Sequence, residues 1–454
     1  MSWPKGGKKM KIRFIALTAL AVVFAAPAFA ESLNEAVQTS VSTHPSIGEV
    51  ANDRKAIDQE LKQAHGLYLP QVDLRGDLGF GVSNRRHTRS ASVIDDGNVL
   101  GNYAAELTLQ QMLFDGFNAD SEVSRQENRV RSAAHRVYES SELLGLNATE
   151  AYLNVLRARQ LVEIATVNVD AHRALQADIA RRTRGGAGNK ADVEQAKARV
   201  SQAEAALVQV QGDLRDAEAR YNSAVGRFPG DLTRPQVVQT YMPLTEQAAV
   251  EAATTESPTV KARAADVDVA AAELEQTKAT FYPQVNLEGS ASTQKDLGGV
   301  HTIKDEAGLG VVARWNLYRG GADEARKQEY ISRQAEALSR VDVAKRESEE
   351  NMRRAWAARE AARARAEHFA QQVKANEQVL VAYKKQFEAG DRTLLDVLDA
   401  QNELFVSKSN MLTAYYTALF GDYQVLAERG SLLASLDVAL PETASVTSEQ
   451  SNAQ

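Results

Sequence analysis

Apolar and polar residues alternate one by one in two stretches of the chain, at about residues 71–114 and 284–318. In the first stretch, Val72 and Leu74 stand on either side of Asp73, and the alternation resumes in a return segment after a polar loop. A period of two is typical of a β-strand with one apolar and one polar face. Each stretch therefore predicts a β-hairpin whose strands, of roughly ten residues, are long enough to cross a bilayer when tilted.

Apolar residues return every three or four positions in two longer segments, at about residues 120–184 and 323–388. Both segments are rich in Ala, Glu, Arg, Gln and Leu and contain no proline, so both are predicted to be helical. A helix of roughly 65 residues extends roughly 100 Å at 1.5 Å per residue. Glycines follow at residues 185–189 and 389–391, and a second helix then runs back. The pattern predicts two long helical hairpins with their tips at these glycines.

The two halves of the chain repeat one plan. Pro258 lies 213 positions after Pro45, and Pro283 lies the same distance after Pro70. The predicted organisation is a first repeat at residues 31–228, a linker in the equatorial region at 229–244, a second repeat at 245–440 and a tail at 441–454. The tail consists mainly of Ser, Thr, Glu and Gln, has too little apolar surface to fold, and is expected to be disordered.

Residues 1–30 have the pattern of a signal peptide. Five basic residues precede an apolar run from Phe14 to Phe24, and Ala28 and Ala30 provide the small residues of a cleavage site. The run is too short for a retained membrane helix, which needs roughly 20 residues. We expect export and cleavage after Ala30, with either Met1 or Met10 as the start of translation.

Composition excludes several classes of function. The chain has no cysteine, which removes disulfides, thiolate metal sites and a lipid-anchored N-terminal Cys. The formal net charge of −7 becomes −12 without the five basic residues of the signal peptide, so nucleic acid is not an expected partner. The seven histidines show no metal-binding spacing, and the glycines at residues 185–190 lack the Gly-Lys-Ser/Thr order of a phosphate loop. No catalytic site, metal or cofactor is expected.

Four strands per chain are too few to close a barrel. An open sheet edge is not tolerated in the hydrocarbon of a bilayer, so several chains must share one barrel. Known bacterial barrels begin at eight strands, which a dimer would provide, whereas a trimer would provide twelve and a wider lumen. The strand count alone does not choose between a dimer and a trimer.

Short motifs mark the strand ends and the second tip. They are the strand starts Tyr68-Leu69-Pro70-Gln71-Val72 and Phe281-Tyr282-Pro283-Gln284-Val285, the strand ends Leu113-Phe114-Asp115-Gly116 and Leu317-Tyr318-Arg319-Gly320, and the tip sequence from Gly390 to Ala400. These motifs resemble those of the TolC family of outer-membrane efflux and type I secretion channels. The resemblance implies a mixed α/β membrane protein, built as a homotrimer with a shared twelve-stranded barrel in outer-membrane lipid. It also implies a periplasmic helical tunnel that is docked by an adaptor protein and an inner-membrane transporter.

Two aspartates near the second tip are candidates for a selective constriction. Asp396 and Asp399 are three residues apart on one helical face, so three chains would present two carboxylate rings roughly 4.5 Å apart along the axis. Such rings attract cations. The alternative is a structural role, because Thr393 and Asp396 form a capping-box pattern at a helix N-terminus. The resemblance implies that both aspartates line a closed entrance and that Arg392 belongs to the links holding it shut.

The first tip offers a partner for these links. The resemblance implies that Asp192 accepts a gate link, although an acid in the first turn of a helix is also an ordinary stabilising feature. Phe387 stands where the family pattern has a tyrosine, and a phenyl ring has no hydroxyl to donate. We therefore expect the gate to depend more on Arg392 and Asp192. Gly188 and Gly390 mark the tips at which the adaptor is expected to dock.

The expected function is that of a passive exit duct. Two kinds of cargo remain alternatives, proteins and small molecules. Type I protein secretion with an ABC transporter is favoured slightly, because the missing lipid-anchor Cys argues against one branch dedicated to efflux. The alternative is small-molecule efflux with a proton-driven pump. A periplasmic adaptor would share the helical hairpins but lack the bilayer-length strands, and a structural coiled-coil protein would leave the period-two segments unexplained.

Overall fold

The computed structural model describes residues 30–82, 99–186, 188–237, 239–296 and 302–445. Apart from Ala30, the predicted signal peptide lies outside the described residues. The helices within these ranges are α1 (Leu33–Thr43), α2 (Pro45–His65), α3 (Asn118–Arg184), α4 (Lys190–Val225), α5 (Glu246–Glu256), α6 (Pro258–Lys278), α7 (Ala322–Ala389), α8 (Leu394–Arg429) and α9 (Leu432–Ser435). The strands are β1 (Gln71–Gly81), β2 (Leu100–Phe114), β3 (Gln284–Lys295) and β4 (Ile303–Arg314).

The predicted doubling of the chain is present in the fold. Helices α2 and α6 each have 21 residues and begin at a proline, whose missing N–H is not needed in the first turn. Helices α3 and α7 have 67 and 68 residues, and α4 and α8 have 36 residues each. The two long helical hairpins, α3–α4 and α7–α8, therefore match in length as well as in order.

The four strands form one antiparallel sheet in the order β1-β2-β3-β4. Leu74 pairs with Leu107, Leu107 with Ala291, and Ala291 with Ala307, so one apolar row crosses the whole sheet. The row beside it, on the other face, consists of Asp73, Thr108, Ser290 and Gly308. The alternation in the sequence thus becomes one apolar and one polar face, and β1 and β4 are the edge strands.

The second β-hairpin ends earlier than predicted, at Arg314 and not at residue 318. Arg314 pairs with Gln284, the first residue of β3, so the ladder has no partner strand beyond it. Trp315 instead donates its indole N–H to the carbonyl of Phe281 at 3.3 Å. The first hairpin reaches Phe114 as predicted, because a bulge after Met112 lets Phe114 pair with Val285.

Aromatic side chains gather where the sheet meets the long helices. Phe114, Phe117 and Tyr282 meet edge to face, with ring centroids 5.4, 6.0 and 6.4 Å apart. Gly116 has a φ of 73°, and a Cβ there would lie 2.8 Å from the carbonyl oxygen of Ala279. Only glycine fits at this close approach, which lets the chain turn from β2 into α3. Three aromatic rings are therefore packed together at the bases of the strands.

The largest hydrophobic core lies around the middle of α3 and includes the segment between the repeats. Tyr152, fully buried, donates to the carbonyl oxygens of Glu31 and Thr233 at 2.8 and 2.6 Å. Met242 of the linker is also buried in this core. Parts of the linker at residues 229–244 are thus packed against the middle of α3. No helix among the described residues is apolar over a length sufficient to cross a membrane.

The expected disorder of residues 441–454 does not hold for its first residues. The segment Glu442–Ala444 forms a 3₁₀ turn, in which Ala444 donates its N–H to the carbonyl of Pro441 at 2.9 Å. The fixed φ of Pro441 favours such a turn, and contacts with α3 stabilise it. Residues 446–454 lie outside the described residues.

Candidate gate at the hairpin tips

The first tip is shaped by its polar cap and by a crowded glycine. The side-chain oxygen of Asn189 accepts the N–H of Ala191 at 3.0 Å and so caps the start of α4. A Cβ at Gly188 would overlap the hydroxyl of Thr183 and lie 3.0 Å from its Cα. Gly188 is therefore required for the turn itself, whatever partner approaches this tip.

The second tip ends α7 with a Schellman motif. Asp391 donates its N–H to the carbonyl of Gln386 at 2.9 Å, and Gly390 donates to that of Phe387 at 3.2 Å. Gly390 has a φ of 88°, in the left-handed region that favours glycine. The turn predicted from the sequence at Gly390 is therefore present.

Asp396 forms a capping box with Thr393, which is the structural role that their spacing predicts. Its carboxylate accepts the backbone N–H of Thr393 at 3.2 Å and the Thr393 hydroxyl at 2.7 Å, while its own N–H donates to that hydroxyl oxygen at 3.3 Å. These hydrogen bonds hold the pKa of Asp396 below its usual value, and the bond from the Thr393 hydroxyl has the largest effect. Asp396 is thus a stable anion that also begins α8.

Asp399 makes a different contact, although it lies on the same helical face. Its carboxylate accepts a hydrogen bond from Nη2 of Arg199, on α4 of the other hairpin, at 2.6 Å. Arg199 was not among the residues predicted for the gate. Within one chain the two aspartates are therefore not equivalent, because one caps its own helix and the other is paired with an arginine.

Arg392 and Asp192 do not meet within one chain. Arg392 donates its Nε–H to the side chain of Gln386 at 3.0 Å and lies over the ring of Tyr383, 4.0 Å from its centroid. Its guanidinium is also 3.9 Å from the carboxylate of Asp396. Asp192 is half-buried in the first turn of α4, and no described residue donates a hydrogen bond to its carboxylate or pairs with it.

Phe387 joins the two hairpins through apolar contacts. Its ring packs against the cluster formed by Ile179 and Leu398, and the guanidinium of Arg182 lies 5.1 Å from the ring centroid. Tyr383, one turn earlier, supplies the aromatic ring beneath Arg392. The phenyl ring expected to weaken the polar gate therefore contributes packing between the hairpins instead.

Arg199 and Tyr383 were not predicted from the sequence, although each lies one or two helical turns from a residue that was predicted. Arg199 is seven positions after Asp192, two turns along the same face of α4, and Tyr383 is four positions before Phe387. That spacing could have added both to the candidates. Their partners could not be named, because the contacts depend on how two distant hairpins pack.

A comparison with protein families identifies the family of this chain. The sequence profile described as "Outer membrane efflux protein" matches residues 36–227 and 249–419, which include all four strands, the first long helical hairpin and most of the second. The chain belongs to the outer membrane efflux protein family. The resemblance to TolC seen in the sequence is thereby confirmed, and so is the location in the outer membrane. As a member of this family of channels, the protein is not an enzyme.

Curated relatives of this family member span most of its length. Outer membrane efflux protein BepC of Brucella suis is 25% identical over 408 residues, which cover 90% of this chain and 87% of BepC. Outer membrane protein TolC of Escherichia coli is 23% identical, with 92% of this chain and 87% of TolC covered. Alkaline protease secretion protein AprF of Pseudomonas aeruginosa is 23% identical, with 86% and 83% covered.

A solved structure confirms the fold class. The outer membrane protein VceC of Vibrio cholerae superposes with a TM-score of 0.72 at 17% identity, over 90% of this chain and 97% of VceC. At this identity the likeness concerns the fold alone. The mixed fold of four strands and long helical hairpins, in two repeats, is the fold class predicted from the sequence.

Proposed function

We propose that this family member is the exit duct of a tripartite export system, which conducts substrates passively from an inner-membrane transporter across the periplasm and outer membrane. One observation carries the proposal: an apolar row crosses all four strands of a sheet whose outer edges, on β1 and β4, pair with no strand of the part of the chain that the structure describes. In a bilayer those edges must be paired. A homotrimer would pair them in a twelve-stranded barrel, with α3 and α7 continuing into the periplasm.

The tips are the proposed gate and docking end of the duct. Asp192 is a half-buried carboxylate with no partner among the described residues of its own chain, and Arg392 lies in the turn that precedes α8 of the other hairpin. In a trimer a neighbouring chain would supply the missing partner. We assign Arg392 and Asp192 to links between chains, and the turns at Gly188 and Gly390 to the docking of an adaptor.

The gate is tested by single-channel conductance in planar lipid bilayers. Arg392→Ser and Asp192→Ser each remove one side of the proposed link, so both variants should conduct more than the wild-type trimer. Arg220→Ser is the matched control, because it breaks an exposed Arg220–Asp216 pair within α4. Unchanged conductance in both tip variants would remove the gate assignment, and a wild-type protein that forms no channel would refute the duct.

The cargo is proposed to be a protein, as in type I secretion with an ABC transporter. The name of AprF refers to protease secretion, which favours this proposal, whereas the name of BepC refers to efflux and supports the small-molecule alternative. Crosslinking of the tagged trimer in cells, followed by mass spectrometry, tests the choice. Recovery of an ABC transporter with the adaptor supports secretion, and recovery of a proton-driven pump supports efflux.

A further inference from the structure

One ion pair joins the two helical hairpins close to their tips. Arg199 of α4 and Asp399 of α8 are 200 residues apart in sequence, and their guanidinium and carboxylate lie 2.6 Å apart. The Arg199 side chain is 26% exposed and that of Asp399 is 54% exposed. A charge-assisted bond of this length fixes geometry well, but its exposure limits its contribution to stability. The main effect of this ion pair is therefore on the charge near the tips.

The pair changes the charge that the tips present to a passing ion. Asp399 and Arg199 cancel each other at distances much longer than their separation. Asp396 retains its charge, because its bonds to Thr393 favour the anion and because Arg392, 3.9 Å away, would be compensated by Asp192 of a neighbouring chain in the proposed gate link. Charged rings at a constriction decide which ions pass. A single effective ring would thus replace the two rings expected from the spacing of the aspartates.

The surroundings of Arg199 leave Asp399 as its anionic partner. Arg199 lines a cavity of about 160 Å³ between the hairpins, whose polar lining residues are Asn168, His172, Gln202 and Asn402. His172 is 3% exposed, and burial, followed by the charges of Arg199 and Lys384, lowers its pKa. A neutral imidazole and side-chain amides offer no second anion to the guanidinium. Gln202 accepts a hydrogen bond from Nη1 of Arg199 at 3.1 Å, so this amide helps to hold the guanidinium, while Asp399 alone among these neighbours offsets its charge.

We propose that Arg199 is a selectivity-determining residue of the channel, which neutralises Asp399 and leaves Asp396 as the charged ring of the entrance. The proposal rests on the proposed function, since it requires the tips to surround the entrance of a conducting trimer.

The test measures reversal potentials across planar bilayers in a gradient of potassium chloride. Arg199→Gln should raise the ratio of potassium to chloride permeability several-fold, because it exposes the charge of Asp399. Asp399→Asn should lower the ratio, since it leaves the cation of Arg199 unpaired. The charge exchange Arg199→Asp with Asp399→Arg should restore a ratio close to that of the wild type. A purely structural role of the pair would not produce shifts of opposite sign.

The control is Arg173→Gln, which breaks an equally short pair, between Arg173 and Glu204, that lies within the first hairpin. It should keep the wild-type reversal potential. Arg199→Met, which retains an apolar stem, replaces Arg199→Gln if that variant does not form heat-modifiable trimers. Wild-type selectivity in the Arg199 variants would overturn the proposal while leaving the duct intact. Absence of any wild-type conductance would instead refute the duct, and this proposal with it.

Discussion

Glu142 is a buried carboxyl group whose protonation links the stability of the fold to pH. It is 3% exposed and accepts the backbone N–H groups of Leu432 and Leu433, at 3.1 and 3.4 Å, where α9 begins. Burial nevertheless raises the pKa of Glu142 to about 8, because it outweighs these hydrogen bonds. In the folded chain this carboxyl therefore keeps its proton through neutral pH, whereas in the unfolded chain it ionises near 4.5.

The raised pKa of Glu142 predicts a loss of stability with rising pH. Between about pH 4.5 and 8 the unfolded chain has released this proton and the folded chain has not. The free energy of unfolding should therefore fall by at most about 1.4 kcal/mol per pH unit through this window. Glu142→Gln, which cannot ionise, should flatten the dependence in urea unfolding at pH 5.5 and 8. Exposed Glu150→Gln is the control, and equal slopes in all three proteins would contradict the assignment.

Sequence reasoning at the scale of residues succeeded where the chemistry is local. Thr393 and Asp396 are three positions apart, so their capping box could be read directly from the chain. The partner of Asp399 could not, because Arg199 is 200 positions away and reaches it only through the packing of two hairpins. The pairing of Arg392 and Asp192 across chains stays a prediction for the same reason.

A buried ionic cluster fastens α7 to α8. Asp422 accepts hydrogen bonds from Arg359 at 2.6 Å and from Arg363 at 2.8 Å, and Asp422 and Arg359 are both 6% exposed. Gly421 allows this approach, since a Cβ there would lie 3.0 Å from the Cβ of Arg359. The two helices therefore touch where Asp422 binds two arginines, and Arg359 also pairs with Glu360 at 2.7 Å.

Loss of the aspartate should weaken this pair of helices. Asp422→Asn leaves the buried guanidinium of Arg359 with only the exposed Glu360 as counter-charge, so unfolding should become easier by up to about 3–5 kcal/mol. Asp216→Asn breaks an exposed pair with Arg220 and should change stability by less than about 1 kcal/mol. Denaturant unfolding of purified trimers compares the two variants. A similar small effect in both would show that the buried cluster does not stabilise the α7–α8 hairpin.

The positions of proline and glycine allowed the long helices and the turns between them to be predicted from the sequence. The proline-free stretches predicted α3 and α7 to within two residues at each end, and the tip glycines marked where the chain reverses. The end of β4 was misplaced, since a strand requires a neighbour as well as a suitable pattern, and β3 begins only at Gln284. The turn at Glu442–Ala444 was missed because contacts with α3 stabilise it in spite of its polar composition.

The whole molecule has an apolar sheet face that one chain leaves uncovered. Leu74 is 78% exposed, Leu309 is 72% exposed, and both lie on the apolar face that crosses the four strands. In water such a face would favour aggregation, whereas in a bilayer it would lie against the acyl chains. The opposite face, with its charged and small polar residues, would then line the lumen of the shared barrel.

Adjacent residues of β4 test this orientation, because their side chains point to opposite faces of the sheet. Leu309→Lys places a charge on the apolar face near the middle of the strand, which should cost about 2–4 kcal/mol near the bilayer midplane. Gly308→Lys places the same charge on the polar face, where a Cβ would meet no atom within 4 Å. Heat-modifiable trimers in outer-membrane fractions should therefore be reduced for Leu309→Lys and retained for Gly308→Lys. The reverse result would mean that Leu309 faces the lumen, and equal yields would mean that neither face of the sheet meets lipid.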